Sequence, residues 1–343
     1  MRDAARPPIL IAGIGGASLG TELLKCLVLA DRYRPYGCDI SPRAFGHFAA
    51  GFEATAVVDP GNYVESVIGV CRQFGIEVIL PGGQEPLTLL SAAFDELRRV
   101  GITLAANAPS VVSLFSNKRL TFELLAQLDI STPLTITAPT PDDLKRMTFP
   151  CIVKTATESG GSSFVFLARD PDEVLQFVSH LERNGRTAVV QEYLPHDEGE
   201  FTVGVLTLSD GRLVGSIALR RLLESKLSVL SRTSAGVIST GYSQGLIADF
   251  PAVRSTAERI ASAAGSLGPL NVQGRLRNGE FIPFEVNPRF SASSYLRAMA
   301  GFNEVDMYLD HLLNGTQPVP GVIRPGYYLR SLTEVFAPER GAQ

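Results

Sequence analysis

The N-terminal third of the chain alternates short apolar strand patterns with amphipathic helix patterns. Glycine-rich turns separate them, as in Gly13–Gly20 and in Pro81-Gly82-Gly83. A repeated strand–helix–strand order predicts a parallel sheet covered by helices on both faces, because parallel neighbours require a crossover connection. Ligands of such sheets bind at the carboxyl ends of the strands, which is where these glycine-rich turns fall.

The pattern changes after a boundary near Asn107–Ser110. Two apolar runs are separated by Ser-Asp-Gly-Arg at 209–212, and the Asn278-Gly279 dipeptide separates another pair. Asp-Gly and Asn-Gly dipeptides between apolar runs are typical of β-hairpins, which pair antiparallel strands. The rest of the chain is therefore predicted to be α+β and not a continuation of the parallel sheet.

Charge and cysteine content exclude several classes of function. The 343 residues include 31 Lys and Arg and 35 Asp and Glu, which gives a net charge of −4, whereas nucleic-acid and anionic membrane surfaces require a basic field. No apolar run approaches the roughly 18 residues of a bilayer-spanning helix. The 4 cysteines form no C-x-x-C pair and the 4 histidines are dispersed, which argues against a zinc site. We expect a cytoplasmic protein with no nucleic-acid or membrane partner.

The Gly13–Gly20 loop follows a strand pattern and precedes a helix pattern, which is the context of a dinucleotide-binding fingerprint. Asp39, at the end of the second strand, fits loosely as the acidic residue for a ribose. The third glycine comes late, and glycines here also suit a tight turn alone. An NAD(P)-dependent oxidoreductase that uses this loop is therefore one function that stays open.

The strongest chemical pattern lies around the Asn-Gly hairpin. Alternate residues of a strand share a face, so Glu285 and Asn287 point the same way. If Gln273 lies opposite them, three oxygen donors converge, and such a set suits Mg²⁺ shared with substrate phosphates. Arg289 follows the strand and can donate two parallel hydrogen bonds to a phosphate or carboxylate. The alternative is a polar hairpin face that ends in an ordinary Asn-Pro turn.

Here the chain resembles a known family. Asn271-Val272-Gln273 with residues 284–291 (Phe-Glu-Val-Asn-Pro-Arg-Phe-Ser) is similar to the metal-binding hairpin of ATP-grasp enzymes, above all to the carbamoyl-phosphate synthetase large-subunit branch. Further motifs follow in the order that the family has: Ser116-Asn117-Lys118, residues 149–154, the glycine-rich residues 158–163, Gln191–Leu194 and Glu200-Phe201. Asn117 stands where the family usually has an acidic residue, which leaves a non-catalytic ATP-binding subunit as another alternative.

The resemblance implies roles for individual residues. Gln273, Glu285 and Asn287 are the implied metal ligands, and Arg289 and Lys154 the implied catalytic residues that stabilise a transferring phosphoryl group. The implied ATP contacts are Lys118, Lys154, Ser159, Gly160, Gly161, Ser162, Glu192, Tyr193, Leu194 and Glu200. The candidate substrate contacts are Arg220, Arg221, Arg232 and Glu85.

The resemblance also implies an architecture and a reaction. The expected fold is an α/β leading domain with a Rossmann-like parallel sheet, followed by an α+β ATP-grasp unit of two lobes. The expected limits are 1–106 for the leading domain, 107–190 for a small lobe with a linker helix and glycine-rich lid, 191–325 for a large lobe with the metal-binding hairpin, and 326–343 for a C-terminal tail. The expected enzyme is an ATP-dependent carboxylate–amine ligase that forms an amide or peptide bond through an acylphosphate and releases ADP and phosphate.

Cofactors and partners follow from that reaction. The expected cofactors are ATP and Mg²⁺, with two ions per site and Mn²⁺ able to substitute. The expected partners are a small-molecule carboxylate and a small-molecule amine. A homodimer is one expected assembly, since most soluble oligomers are symmetric homo-oligomers and dimers are the commonest.

Overall fold

The computed structural model describes residues 6–16, 18–156 and 164–338. The predicted glycine-rich lid, with Ser159, Gly160, Gly161 and Ser162, lies outside the described residues. The strands are β1 Pro8–Ala12, β2 Arg34–Asp39, β3 Ala54–Val57, β4 Val78–Pro81, β5 Thr103–Leu104, β6 Thr135–Thr137, β7 Cys151–Thr155, β8 Phe166–Ala168, β9 Ala188–Glu192, β10 Glu200–Thr207, β11 Leu213–Arg221, β12 Val229–Thr233, β13 Gly236–Ser239, β14 Gly245–Ile247, β15 Pro269–Arg277, β16 Glu280–Asn287 and β17 Gly326–Tyr328. The helices are α1 Leu19–Ala30, α2 Tyr63–Phe74, α3 Gln84–Ala92, α4 Phe94–Arg99, α5 Pro109–Ser116, α6 Lys118–Gln127, α7 Pro171–Arg183, α8 Pro251–Ala263, α9 Ser294–Met299 and α10 Glu304–Asn314.

The first sheet has the strand order β3-β2-β1-β4-β5, and every pairing in it is parallel. The predicted parallel sheet is thus present. The strand order changes direction between β1 and β4, so a crevice opens at their carboxyl ends. The loops after these strands meet there, since the backbone N–H of Gly20 donates to the carbonyl of Gly82 at 3.0 Å.

A four-stranded antiparallel sheet, β6-β9-β7-β8, forms the small lobe, and α7 packs on one face of it. Along β7 the burial alternates. Cys151 and Val153 are buried in the core with α7, whereas Ile152 and Lys154 face the other side. This period of 2 turns Lys154 to the face of β7 that lies away from the core with α7.

The large lobe is built on a six-stranded antiparallel sheet with the order β16-β15-β10-β11-β14-β17. The predicted hairpin turns at 209–212 and 278–279 join β10 to β11 and β15 to β16. Helix α8 covers one face, and α9, α10 and α1 cover part of the other. The uncovered part of this second face carries the site.

The hydrophobic cores cross the predicted domain limits. Ile9 and Leu23 of the first sheet and helix share a core with Leu219, Phe290 and Tyr308 of the large lobe. Val111 and Phe115 of α5 pack with Phe201 of β10, so the start of the expected small lobe is attached to the large-lobe sheet. Among the described residues, every helix is too short or too polar to cross a bilayer.

Candidate active site

A cleft of about 700 Å³ opens where the three parts of the molecule meet. The first sheet contributes Ser18 and the Gly82–Gln84 turn, and the small lobe contributes Ile152 and Lys154. The large-lobe sheet forms the floor with residues of β10, β15 and β16. The cleft therefore has a wall from each unit, and ligand sites commonly form where separate units meet.

The three predicted metal ligands converge on this floor. In the β15–β16 ladder Gln273 lies opposite Glu285, and Asn271 lies opposite Asn287. The Gln273 Nε2 donates to Glu285 Oε2 at 2.8 Å. This bond orients the Gln273 amide, so its carbonyl oxygen and the second oxygen of Glu285 are left for a cation. The condition set by the sequence, that Gln273 faces the other two, is met.

This donor set fits Mg²⁺ held jointly with phosphates. Among the described residues no group of three or more His, Cys, Asp or Glu side chains is placed to hold a metal. A single carboxylate with amide oxygens cannot by itself satisfy six-fold coordination, whereas Mg²⁺ usually takes one or two carboxylates and completes its shell with water and substrate phosphates. Gln273, Glu285 and Asn287 would therefore hold the ion together with a bound nucleotide.

Arg289 links the hairpin to the first sheet. Its Nε donates to Gln84 Oε1 at 3.0 Å, its Nη1 to the carbonyl of Phe290 at 3.1 Å, and its Nη2 to Asn287 Oδ1 at 3.3 Å. These bonds hold a permanently charged guanidinium at the wall of the cleft beside the candidate metal ligands.

Two lysines, Lys118 and Lys154, also line the cleft. Lys154 Nζ donates to Gln191 Oε1 at 2.8 Å, so the neighbouring strand β9 orients it. Lys118 is the first residue of α6, and Asn117 caps this helix by accepting from the backbone N–H of Arg119 at 3.0 Å and of Leu120 at 3.3 Å. Asparagine and aspartate are equivalent as N-caps, so the departure at Asn117 preserves the helix start that places Lys118.

The segment Glu192–Leu194 forms a hinge between the two lobes. Glu192 accepts from Arg277 Nη1 at 2.6 Å, and the hydroxyl of Tyr193 accepts from the backbone N–H of Val237 at 2.9 Å. Apolar side chains line the cleft beside this hinge: Ile152, Val165, Leu194, Ile238 and Phe284. A stretch of cleft wall lined by apolar side chains suits a flat heteroaromatic ring.

Glu200 lies deeper than a surface ribose contact would require. Its side chain is 1% exposed and accepts from Arg221 Nη1 at 2.9 Å and from Arg275 Nε at 2.9 Å. Burial raises the pKa of the Glu200 carboxyl, but the charges of Arg221 and Arg275 outweigh it and hold the pKa below its ordinary value. A ribose hydroxyl at this carboxylate would share it with two guanidinium groups, and the ribose contact stays a prediction.

The four candidate substrate residues are not brought together. Arg221 is buried in the ion pair with Glu200, and Arg220 points to the opposite face because it is its neighbour on β11. Arg232 is exposed and donates to the carbonyl of Leu223 at 2.5 Å, and Glu85 is exposed on α3. None of the four lines the cleft, so their assignment to substrate is not carried forward.

The Gly13–Gly20 loop is explained by close packing. A Cβ on Gly20 or on Gly82 would overlap the carbonyl oxygen of Gly13. The two loops can therefore approach each other this closely only if positions 20 and 82 are glycine. The Asp39 carboxylate accepts from the backbone N–H of Ile14 at 2.8 Å and of Ser41 at 3.0 Å. Asp39, the acidic residue that would bind the ribose of a dinucleotide, therefore already accepts hydrogen bonds from backbone N–H groups.

Arg275 is a further residue of the cleft, and no motif in the sequence indicated it. It lies on the same strand face as Gln273, two residues away, and its guanidinium donates to the carbonyls of Leu194 and of Val237, the latter at 3.0 Å. It also lies 4.9 Å from the ring of Tyr193. Strand alternation could have indicated Arg275, because alternate residues of a strand share a face and Arg275 is two residues from Gln273. Its hydrogen bond to the carbonyl of Leu194 links the hinge to the floor of the cleft.

We expect Glu200→Ala to lower the free energy of unfolding by about 3–5 kcal/mol, because it leaves two buried guanidinium groups without their carboxylate. Urea unfolding at pH 7 measures this loss. The difference from wild type should narrow as the pH falls below the ordinary carboxyl value of 4.5, since a group whose pKa is lowered by folding stabilises only while it is ionised.

The matched control for Glu200→Ala is Glu224→Ala, which removes an exposed carboxylate and should change stability by less than about 0.5 kcal/mol. An equal effect of the two substitutions would contradict the role given to the buried ion pairs.

Comparison with known protein families links the chain to one superfamily. Residues 184–335 match the model described as "ATP-grasp in the biosynthetic pathway with Ter operon", and residues 115–222 match the RimK-like ATP-grasp domain. Together the two matches span the small-lobe and large-lobe elements that form the cleft.

Curated relatives and solved structures agree. The carbamoyl phosphate synthase large chain of Rubrobacter xylanophilus is 29% identical over 240 residues, which is 66% of this chain and 21% of that protein. The C-terminal section of the large chain of Aquifex aeolicus is 24% identical over 229 residues, 65% of this chain and 39% of that protein. The chain therefore spans well under half the length of these relatives.

Two solved structures of comparable size share the fold. The N5-carboxyaminoimidazole ribonucleotide synthetase of Thermotoga maritima superposes with a TM-score of 0.62 at 16% identity, covering 93% of this chain and 79% of that one. The L-amino acid ligase of Bacillus licheniformis superposes with a TM-score of 0.66 at 17% identity, covering 93% and 77%.

Proposed function

Because the chain belongs to the ATP-grasp superfamily, in its carbamoyl phosphate synthase-like branch, we propose that it is an ATP- and Mg²⁺-dependent carboxylate–amine ligase. The substrates of this reaction are a small-molecule carboxylate and a small-molecule amine. The leading parallel sheet would be the Rossmann-like domain of such an enzyme, ending near residue 106, with the two lobes behind it and a second copy of the chain as its partner in a homodimer.

One observation carries the proposal. Gln273, Glu285 and Asn287 converge on the floor of a cleft whose other walls present Lys154 and Arg289. Oxygen donors for a hard cation thus face positive side chains that suit phosphate oxygens. Phosphoryl transfer depends on such positioning and charge stabilisation more than on covalent chemistry by the protein.

The proposed reaction has two steps. An oxygen of the substrate carboxylate bonds to the γ-phosphorus while the bond to the bridging oxygen breaks, and ADP leaves. The amine nitrogen of the second substrate then bonds to the acyl carbon, phosphate leaves, and the nitrogen loses a proton to solvent. Bound Mg²⁺, of which we propose two ions with Mn²⁺ able to substitute, would neutralise phosphate charge during the first step.

Side chains of this protein would bind the phosphates of ATP and orient the substrate carboxylate. Lys154, oriented by Gln191, binds phosphate oxygens from the small lobe, and Lys118, which lines the same cleft, is the second cation for them. Arg289, fixed by Gln84 and Asn287, stabilises charge at the acceptor end of the cleft. Ser18 and the Gly82–Gln84 turn of the first sheet line the same cleft, which supports a carboxylate site between Arg289 and the crevice at the strand ends.

The direct test is a screen of carboxylate and amine pairs, amino acids first, for release of ADP that requires both compounds. Mass spectrometry should then find a product lighter by one water than the sum of the two substrates. ATP binding without ADP release across a broad panel would favour the alternative of a non-catalytic ATP-binding subunit.

We also expect Mg·ATP to stabilise the protein against heat, while NAD⁺ and NADP⁺ do not. A ligand present at about 100 times its Kd adds about 2.7 kcal/mol to the free energy of unfolding. Differential scanning fluorimetry with each nucleotide, with and without Mg²⁺, measures the shift in Tm. A shift with a dinucleotide and none with Mg·ATP would restore the oxidoreductase alternative.

A further inference from the structure

We propose that Arg297 is a positioning residue: it fixes the side-chain amide of Asn271 so that the NH₂ group of Asn271 faces the cleft. The identity of the ligand that this NH₂ group meets, ATP, rests on the proposed function. Arg297 is on α9 and Asn271 on β15, so the two residues belong to different layers of the large lobe. Neither contributes to the metal ligands or the phosphate contacts described above.

The Arg297 guanidinium is placed by a buried ion pair. Its side chain is 0% exposed, and its Nη1 donates to Glu304 Oε1 at 3.1 Å, while Ser294 also donates to that carboxylate. A Cβ on residue 204 would overlap both charged groups, so the pair fits only because Gly204 lacks a side chain. The negative charge of Glu304 offsets the positive charge of Arg297, and Arg297 reaches two residues that line the cleft, Thr202 and Asn271, through hydrogen bonds.

Those hydrogen bonds decide the orientation of the Asn271 amide. Arg297 Nη2 donates to Asn271 Oδ1 at 2.6 Å and to Thr202 Oγ1 at 3.0 Å, and the hydroxyl of Thr202 donates to the same Oδ1 at 2.8 Å. Two donors on one oxygen turn the carbonyl end of the amide towards Arg297. Since Asn271 lines the cleft, its NH₂ group is the end presented there.

The order of residues along β15 places this donor. Arg275 contacts the hinge carbonyl of Leu194, Gln273 lies opposite Glu285, and Asn271 lies opposite Asn287. Strand β15 therefore runs from the hinge, where the adenine ring would bind, past the candidate metal ligands to the end of the cleft near Arg289, where the phosphoryl acceptor would bind. An NH₂ group cannot ligate a cation but can donate to a phosphate oxygen, so Arg297 assigns Asn271 to the terminal phosphoryl group of ATP.

The test compares binding of Mg·ADP with binding of Mg²⁺ and a non-hydrolysable ATP analogue, β,γ-methylene-ATP, by titration calorimetry. Arg297→Lys keeps a charge beside Glu304 but lacks the second donor arm. We expect it to weaken binding of the analogue about 10-fold and to change ADP binding by less than about 2-fold, as for one lost hydrogen bond. Asn271→Ala should do the same, and the double variant should show no further loss.

Thr202→Val removes the second donor to Asn271 without touching the buried ion pair, so it keeps the test decisive if Arg297→Lys fails to fold. It should weaken binding of the analogue about 2- to 3-fold, as expected for a partly lost hydrogen bond. Thr202→Ser should restore binding, and the effect of Thr202→Val should vanish in the Asn271→Ala background. An unchanged preference for the analogue over ADP in these variants, or an undiminished effect in that background, would overturn the proposal.

The two proposals fail in different ways. Wild-type protein that binds Mg·ATP but releases no ADP with any carboxylate and amine contradicts the ligase function, and the binding comparison then still decides the role of Arg297. Wild-type protein that binds no nucleotide overturns both.

Discussion

Glu285→Ala is expected to lower ATP-dependent product formation by about 10³-fold, which is the upper range for losing one preorganised group that acts on transferring charge. Glu285 is the only carboxylate among the three candidate ligands, and its Oε2 accepts from Gln273 at 2.8 Å, so Oε1 is the oxygen that would bind the ion. Without it, a cation would meet amide oxygens alone. The Mg²⁺ concentration required for half-maximal activity should also rise, which a metal titration of the remaining activity measures.

The control for this substitution is on the same strand. Glu280→Ala removes an exposed carboxylate at the far end of β16, where it accepts from Ser131 at 2.6 Å. We expect its turnover to stay within about 2-fold of wild type, as for a surface substitution away from the cleft. Full activity of Glu285→Ala with unchanged metal dependence would exclude the metal site proposed for this hairpin.

Arg289→Ala is expected to lower kcat by about 10²-fold, the cost typical of removing one donor that stabilises transition-state charge. The Kd of Mg·ADP should change by less than about 2-fold, because the hinge, Lys154 and the metal ligands stay in place. Arg289→Lys should recover little of the loss, since a lysine cannot donate at once to Gln84 and Asn287 and still face a phosphoryl group. Single-turnover kinetics measures the change in the rate of the chemical step, and calorimetry measures the Kd of Mg·ADP.

Arg72→Ala is the matched control for Arg289. Its guanidinium forms an exposed ion pair with Glu65 on α2, 3.3 Å apart, and such pairs contribute little. If Arg289→Ala weakened nucleotide binding and left kcat unchanged, Arg289 would contribute to binding of the ground state and not to stabilisation of the transition state.

Part of the geometry of the β15–β16 hairpin could be predicted because it is local. Strand alternation puts Glu285 and Asn287 on one face. The register that the Asn278-Gly279 turn sets shifts between Gln273 and Gly274, and this shift, which no local pattern predicts, places Gln273 opposite Glu285. Lys154 follows from the same period of 2 on β7. Helix α6 could be placed for a similar reason, since Asn117 is an N-cap and the residues after it follow a helical pattern.

Charged residues at loop and strand ends could not be assigned in this way. Arg220 and Arg221 are adjacent in the sequence, but only the fold shows that Arg221 faces Glu200 inside the molecule while Arg220 is exposed. The attachment of α5 to the large-lobe sheet also depends on tertiary packing, because the apolar face of that helix suits either lobe.

The sequence by itself determined the parallel sheet, the hairpins and the shared strand face of Glu285 and Asn287, because strand periodicity and turn chemistry act over a few residues. The register shift that brings Gln273 opposite Glu285 belongs to the folded ladder. Only the tertiary structure decided that Glu200 is enclosed by Arg221 and Arg275, and that Arg297 reaches Asn271 across 26 residues of sequence. Buried charges require partners wherever the fold supplies them, and the identity of those partners is set by packing between layers that no local pattern records.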